Sequence, residues 1–161
     1  TPAEGHNVAF TSLWDNYPDS LEIPLKGKAS RAYLLMAGST NHMQCHIDNG
    51  VIRIYYKDGT RDVMFLRNPD NWPPIEHIFF EDGLAFNRHT PALYRLRLKT
   101  GEISNNFGEE LGFPGASREL DGGAAVLLEM PLNPGKKLSH LVLETLSNDV
   151  VIGLMSITLQ R

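Results

Sequence analysis

The sequence predicts an all-β sandwich of jelly-roll type, with about eight to ten strands. Three observations lead there. Almost every periodic segment alternates with period two, Gly, Pro and Asn punctuate the chain at short intervals, and no long amphipathic helix is present. A closed barrel would give the same periodicity and stays open as an alternative.

The elements follow in order. Asn7 to Trp14 sets Val8, Phe10 and Ser12 against Ala9, Thr11 and Leu13. Ser20 to Leu25 puts Leu21, Ile23 and Leu25 on one face, as a half-buried strand does. Arg31 to Met36 is a nearly continuous apolar run, bounded by Gly27 and Gly38, and predicts a central strand covered on both sides. Val51–Tyr56 and Arg61–Leu66 flank Lys57-Asp58-Gly59-Thr60, where Asp58-Gly59 supplies the positive φ of an antiparallel hairpin turn.

Asn68-Pro69-Asp70-Asn71-Trp72-Pro73-Pro74, with three prolines and two asparagines, predicts a rigid exposed loop. Further strands are expected at Ile75–Phe80, Ala92–Leu98, Ala124–Met130, Leu138–Leu146 and Val150–Leu159. Between Gly101 and Gly123 the composition predicts a long loop, with a short helical turn at Ala116–Leu120. No repeat or linker divides residues 1–161, which read as one domain. The start, Thr1-Pro2-Ala3-Glu4-Gly5, reads as the cut end of a mature chain or of an excised segment, and the chain is expected to be a piece of a larger exported protein.

Composition narrows the function classes. A net charge of −4, with Lys136-Lys137 the longest basic cluster, argues against a nucleic-acid partner. Apolar stretches such as Ala124 to Leu128 fall far short of the roughly 20 residues of a membrane span. Cys45 is the lone cysteine, so no intrachain disulfide or zinc knot forms, and it reads as a small buried hydrophobe.

Several phrases resemble the galactose-binding-like β-sandwich domains, the carbohydrate-binding-type accessory modules of bacterial glycoside hydrolases. They are Leu21–Leu25 followed by Lys26 to Thr40, the hairpin from Gly50 to Thr60, the continuation Leu66–Trp72, and the closing strand Val150–Leu159. The resemblance implies a non-catalytic domain of an exported polysaccharide-degrading enzyme, periplasmic, cell-surface or secreted. Its partner would be a glycan or a neighbouring catalytic domain. In some relatives sugars bind at loops on one rim and a structural calcium is held.

Sugar sites pair an aromatic plate, for the C–H face of the pyranose, with planar groups that grip hydroxyls. Two stretches offer that mixture: Trp14-Asp15-Asn16-Tyr17, and Asn71-Trp72 in the proline-rich loop. Asn87-Arg88-His89 and Asn105-Asn106-Phe107 add grips or a second plate, so Trp72, Asn71, Trp14, Tyr17 and Arg88 are the candidate ligand-binding residues. Beside Pro73-Pro74, Trp72 equally suits the capped end of a core.

If the segment is a strand, His42 and His46 fall on one face, with His77 or Asp48 as a third metal ligand, but no tight His-x-His pair accompanies them. The loop carboxylates Asp15, Asp19, Glu109, Glu110 and Asp121 are the candidates for calcium, though without a spaced Asp-x-Asp-x-Asp run. No nucleophile elbow, phosphate loop or catalytic-cysteine signature is present, so an enzyme is not expected. Two readings lead, ahead of an independent small hydrolase or metalloenzyme that would need convergent carboxylates or histidines in one pocket. The first is a carbohydrate-binding module with its ligand at a loop rim, the second a structural module that packs against a catalytic domain. The second predicts an apolar exposed patch instead of a polar groove with an aromatic floor.

Overall fold

The computed structural model describes residues 4–41, 43–77, 88–107 and 120–161. Among these run ten strands: β1 (Ala9–Ser12), β2 (Ser20–Pro24), β3 (Arg31–Thr40), β4 (Asp48–Tyr56), β5 (Arg61–Arg67), β6 (Arg95–Arg97), β7 (Ile103–Ser104), β8 (Ala124–Pro131), β9 (Leu138–Thr145) and β10 (Val150–Gln160). They form a six-stranded sheet, β1-β10-β3-β8-β6-β7, and a four-stranded sheet, β2-β9-β4-β5, with antiparallel neighbours throughout. From β1 to β4 the chain switches sheet at every strand, and it does so again from β8 to β10. That is the strand order of a jelly roll, with β6 and β7 added beyond β8. Two separate sheets dispose of the closed barrel.

The period-two pattern decides which side chains enter the core. In β3, Ala32, Leu34 and Met36 are buried, and Met130, Leu128 and Val126 of β8 lie beside them on the same face. Ile52 and Ile54 of β4, with Leu141 and Leu143 of β9, supply the opposite layer. The β4–β5 hairpin closes as expected, with Gly59 at φ 84° and the Asp58 carboxylate accepting from the Thr60 amide at 3.0 Å. The Thr60 hydroxyl and Lys136 hold the Asp58 carboxyl down at about 2.

Six expectations are corrected. β3 is central in its sheet, but Tyr33, Leu35 and Ala37 on its outer face are only half-buried. Gly38 does not end that strand, which runs on to Thr40. No strand starts at Ile75. The two prolines before it impose a turn, in which the His77 amide donates to Pro74 O, while 78–80 lie outside the described residues. The strand expected at Ala92–Leu98 shrinks to Arg95–Arg97, and the 101–123 loop contains β7 and carries 108–119 outside the described residues, with most of the Ala116–Leu120 turn. Finally, the proline-rich segment is not an exposed loop: Asn68, Pro69, Trp72, Pro73 and Pro74 are buried. Their polar backbone is tied in, since Asn71 and Trp72 amides both donate to Arg67 O.

Candidate functional site

The strand directions put the connections 13–19, 41–47, 68–74 and 146–149 at one end of the sandwich. A buried polar layer beneath them joins the two sheets. The Thr145 hydroxyl of β9 donates to that of Thr11 on β1 at 2.8 Å, and Thr40 of β3 donates to Asn49 Oδ1 on β4 at 3.0 Å. Ser12 adds a bond to Val150 O at 2.8 Å. Each of these buried groups is paired, which fixes the rim as one surface.

The rim separates the predicted ligand residues. Trp72 is 0% exposed and belongs to the main core, packed against Gly38, so neither face of its ring is open to a sugar. Asn71 is committed as well: its Oδ1 accepts from the Arg67 amide at 2.7 Å and its Nδ2 donates to Phe65 O at 2.8 Å, ending β5. Trp14 and Tyr17 do stand in solvent, 49% and 42% exposed. They bracket a tight turn, with Tyr17 N donating to Trp14 O at 2.9 Å and ring centroids 6.4 Å apart at 53°. Arg88 is half-buried and lines a cleft of about 60 Å³ with Asp70, Arg95, Asn105, Asn106 and Phe107. That volume is far below the roughly 300 Å³ at the low end for ligand pockets. Asn87 lies outside the described residues.

Arg95 explains why this cleft holds its shape. It is buried on the inner face of β6, where its guanidinium donates to the carbonyls of Pro74 (3.0 Å), Ile75 (3.1 Å) and Ala124 (3.1 Å), and to that of His77. Burial pushes the guanidinium down to about 10. One side chain thus ties the segment after the prolines to β8.

Among the described residues, three ligating side chains converge on this rim: His46, Asp70 and His89. Asp70 Oδ2 lies 3.9 Å from His46 Nδ1 and 3.5 Å from His89 Nδ1, and the two imidazole centroids are 4.6 Å apart. Of the sequence-derived set, His46 is present but in a turn with φ 57°, not on a strand, and His42 lies outside the described residues. Asp48 instead pairs with Arg67 at 2.5 Å. Of the calcium candidates, Asp121 is paired with Lys99, Asp15 and Asp19 stay exposed, and Glu109 and Glu110 lie outside the described residues. His89 was flagged only as a polar grip for a sugar, and its pairing with Asp70 carried no sequence signal, because 19 positions separate them and only the return of the chain beside the proline-rich segment brings them together.

The other feature is on the outer face of the six-stranded sheet. Register aligns Ile103 of β7 with Leu96 of β6 and Ala125 of β8, and Leu127 of β8 with Leu35 of β3. Across the same face Ala37 of β3 meets Gly153 of β10, which meets Phe10 of β1. Ile103 and Tyr94 are 65% and 56% exposed, and Phe10, Leu98 and Leu127 are also open, whereas Ala125 and Gly153 between them are covered and Leu35, Ala37 and Leu96 are half-buried. None of these positions is charged. Among the described residues three charge pairs at the margins are matched within the chain: Arg31 with Glu129, Arg97 with Glu102, and Lys99 with Asp121. No helix among the described residues is long and apolar enough to cross a membrane. Set against family models, curated proteins and solved structures, the chain matches none.

Proposed function

We propose that this chain is a non-catalytic accessory module that docks the outer face of its six-stranded sheet against a neighbouring folded domain. The observation that carries the reading is the group of exposed apolar side chains Tyr94, Leu98, Ile103 and Leu127 on and beside β6, β7 and β8, with Phe10 exposed at the far edge of the same sheet. Single exposed apolar residues are common, but several grouped on one sheet face mark an interaction surface. Among the described residues the charge pairs Arg31–Glu129, Arg97–Glu102 and Lys99–Asp121 are satisfied within the chain, which favours an apolar interface held by shape over an electrostatically steered one. The sequence resemblance supplies the identity of the neighbour in this reading: the catalytic domain of an exported glycoside hydrolase.

Calorimetry of the gene's whole product, beside Leu127→Glu/Ile103→Glu in it, tests this reading. A docked module unfolds in one transition with its neighbour, and the double substitution splits that transition in two. Independent transitions in the unsubstituted product, a product with no further folded domain, or a dimer of the chain alone that buries this face would each overturn it.

A second reading, direct glycan binding at the rim, is favoured by the exposed Trp14–Tyr17 pair with Asp15 and Asn16 between them. It predicts a glycan-induced thermal shift of the chain that Trp14→Ala removes. No shift across a broad glycan panel would sink it.

A further inference from the structure

We propose that His46, Asp70 and His89 form a binding site for one divalent transition ion of the Zn²⁺ class (Zn²⁺, Co²⁺ or Ni²⁺), clipping three rim segments together. Geometry is the first ground. Ligand atoms about 2.0–2.1 Å from a tetrahedral ion stand roughly 3.4 Å from one another. Here the carboxylate oxygen is 3.5 and 3.9 Å from the two imidazole nitrogens, and all three ligand atoms lie within 4.8 Å. Small rotations of the side chains close the set around an ion.

Orientation is the second ground. Asp70 Oδ1 accepts from the His89 amide at 2.7 Å and Asp70 O accepts from the Thr90 hydroxyl at 2.8 Å, which leaves Oδ2 aimed between the rings. His46 is held by its amide, which donates to Asn68 O at 2.7 Å, in the left-handed region at φ 57°, an uncommon conformation for a side-chain-bearing residue. Such second contacts are what fix metal ligands in direction.

The third ground is independent of both. His46 Nδ1 is buried and has no hydrogen-bond partner, since 3.9 Å to the carboxylate is too long for one. A buried ring nitrogen without a hydrogen-bond partner, beside a carboxylate and a second imidazole, is explained by an ion between them, bound to the tautomer with Nδ1 unprotonated. Two nitrogens and one oxygen suit Zn²⁺, Co²⁺ and Ni²⁺ and are wrong for Ca²⁺, which takes six to eight oxygens.

The experiment uses the chain, stripped with a chelator, titrated with Co²⁺ and Zn²⁺, and followed by visible absorption and thermal denaturation. The site predicts tetrahedral Co²⁺ bands saturating at one ion per chain, a rise in Tm with Zn²⁺ and no rise with Ca²⁺. His89→Ala, at an exposed position that the fold does not need, abolishes the bands and weakens Zn²⁺ at least about 100-fold, and Asp70→Asn does likewise. The absence of Co²⁺ bands, or Zn²⁺ binding unchanged in both variants, would overturn the site and leave a simple His–Asp ion pair.

Discussion

Gly38 and Trp72 occupy one space. A Cβ on Gly38 would stand 2.8 Å from Cζ2 of the indole and 2.0 Å from the carbonyl oxygen of Val151, so the ring and the β10 backbone together require a glycine near the end of β3. The indole closes the loop end of the core, and its Nε1–H has no acceptor.

Trp72→Ala is therefore expected to destabilise the fold by about 3–5 kcal/mol, as the removal of a buried large aromatic does. Trp72→Phe should cost clearly less, because no hydrogen bond is lost with the indole N–H. Urea denaturation of both variants checks the order, and an alanine variant as stable as the parent would mean that the ring is not a core residue.

Arg95 is expected to behave as a structural arginine. Arg95→Met leaves the carbonyls of Pro74, Ile75, His77 and Ala124 short of a donor and should cost about 2–4 kcal/mol. Arg95→Lys recovers only part of that, since an ammonium cannot span the fork of a guanidinium. Equal stability of the lysine variant and the parent would contradict the arrangement.

Alkaline stability is expected to depend on Tyr56. Burial, and then the hydrogen bond to Asp62, push its phenol up to about 12 from the usual 10, while Asn133 N donates to the same oxygen at 2.8 Å. The folded state thus keeps a proton that the unfolded state releases. The stabilisation is complete below pH 10 and is lost as pH rises from 10 to 12. In Tyr56→Phe the fall in Tm across that window should be shallower, and an identical slope would refute the assignment.

Leu127→Glu with Ile103→Glu should leave the isolated chain folded, within about 1 kcal/mol of the parent, since both side chains already face water. A collapse of the isolated chain would instead make these residues part of its own core.

Legibility in the sequence tracked how local each cause was. The hairpin at Asp58-Gly59 was readable because a positive φ and a bounded turn are local demands. Inward residues such as Leu34, Met36 and Leu128 were readable from period two. The Trp72 assignment to a sugar site misled because Pro and Asn mark irregular backbone without saying whether it is covered, and here the irregular segment plugs the core. The apolar band was invisible because Leu96, Leu127 and Leu35 share a face only through the register of three strands. The His46–Asp70–His89 convergence was hidden for the same reason, its members lying on separate connections.

The most direct measurement is carbene footprinting of the gene's whole product beside the isolated chain. Docking predicts several-fold lower labelling of Leu96, Ile103 and Leu127 in the whole product, with Val63 and Phe65 on the outer face of the other sheet unchanged. Equal labelling of the apolar band in both samples would contradict the docking role.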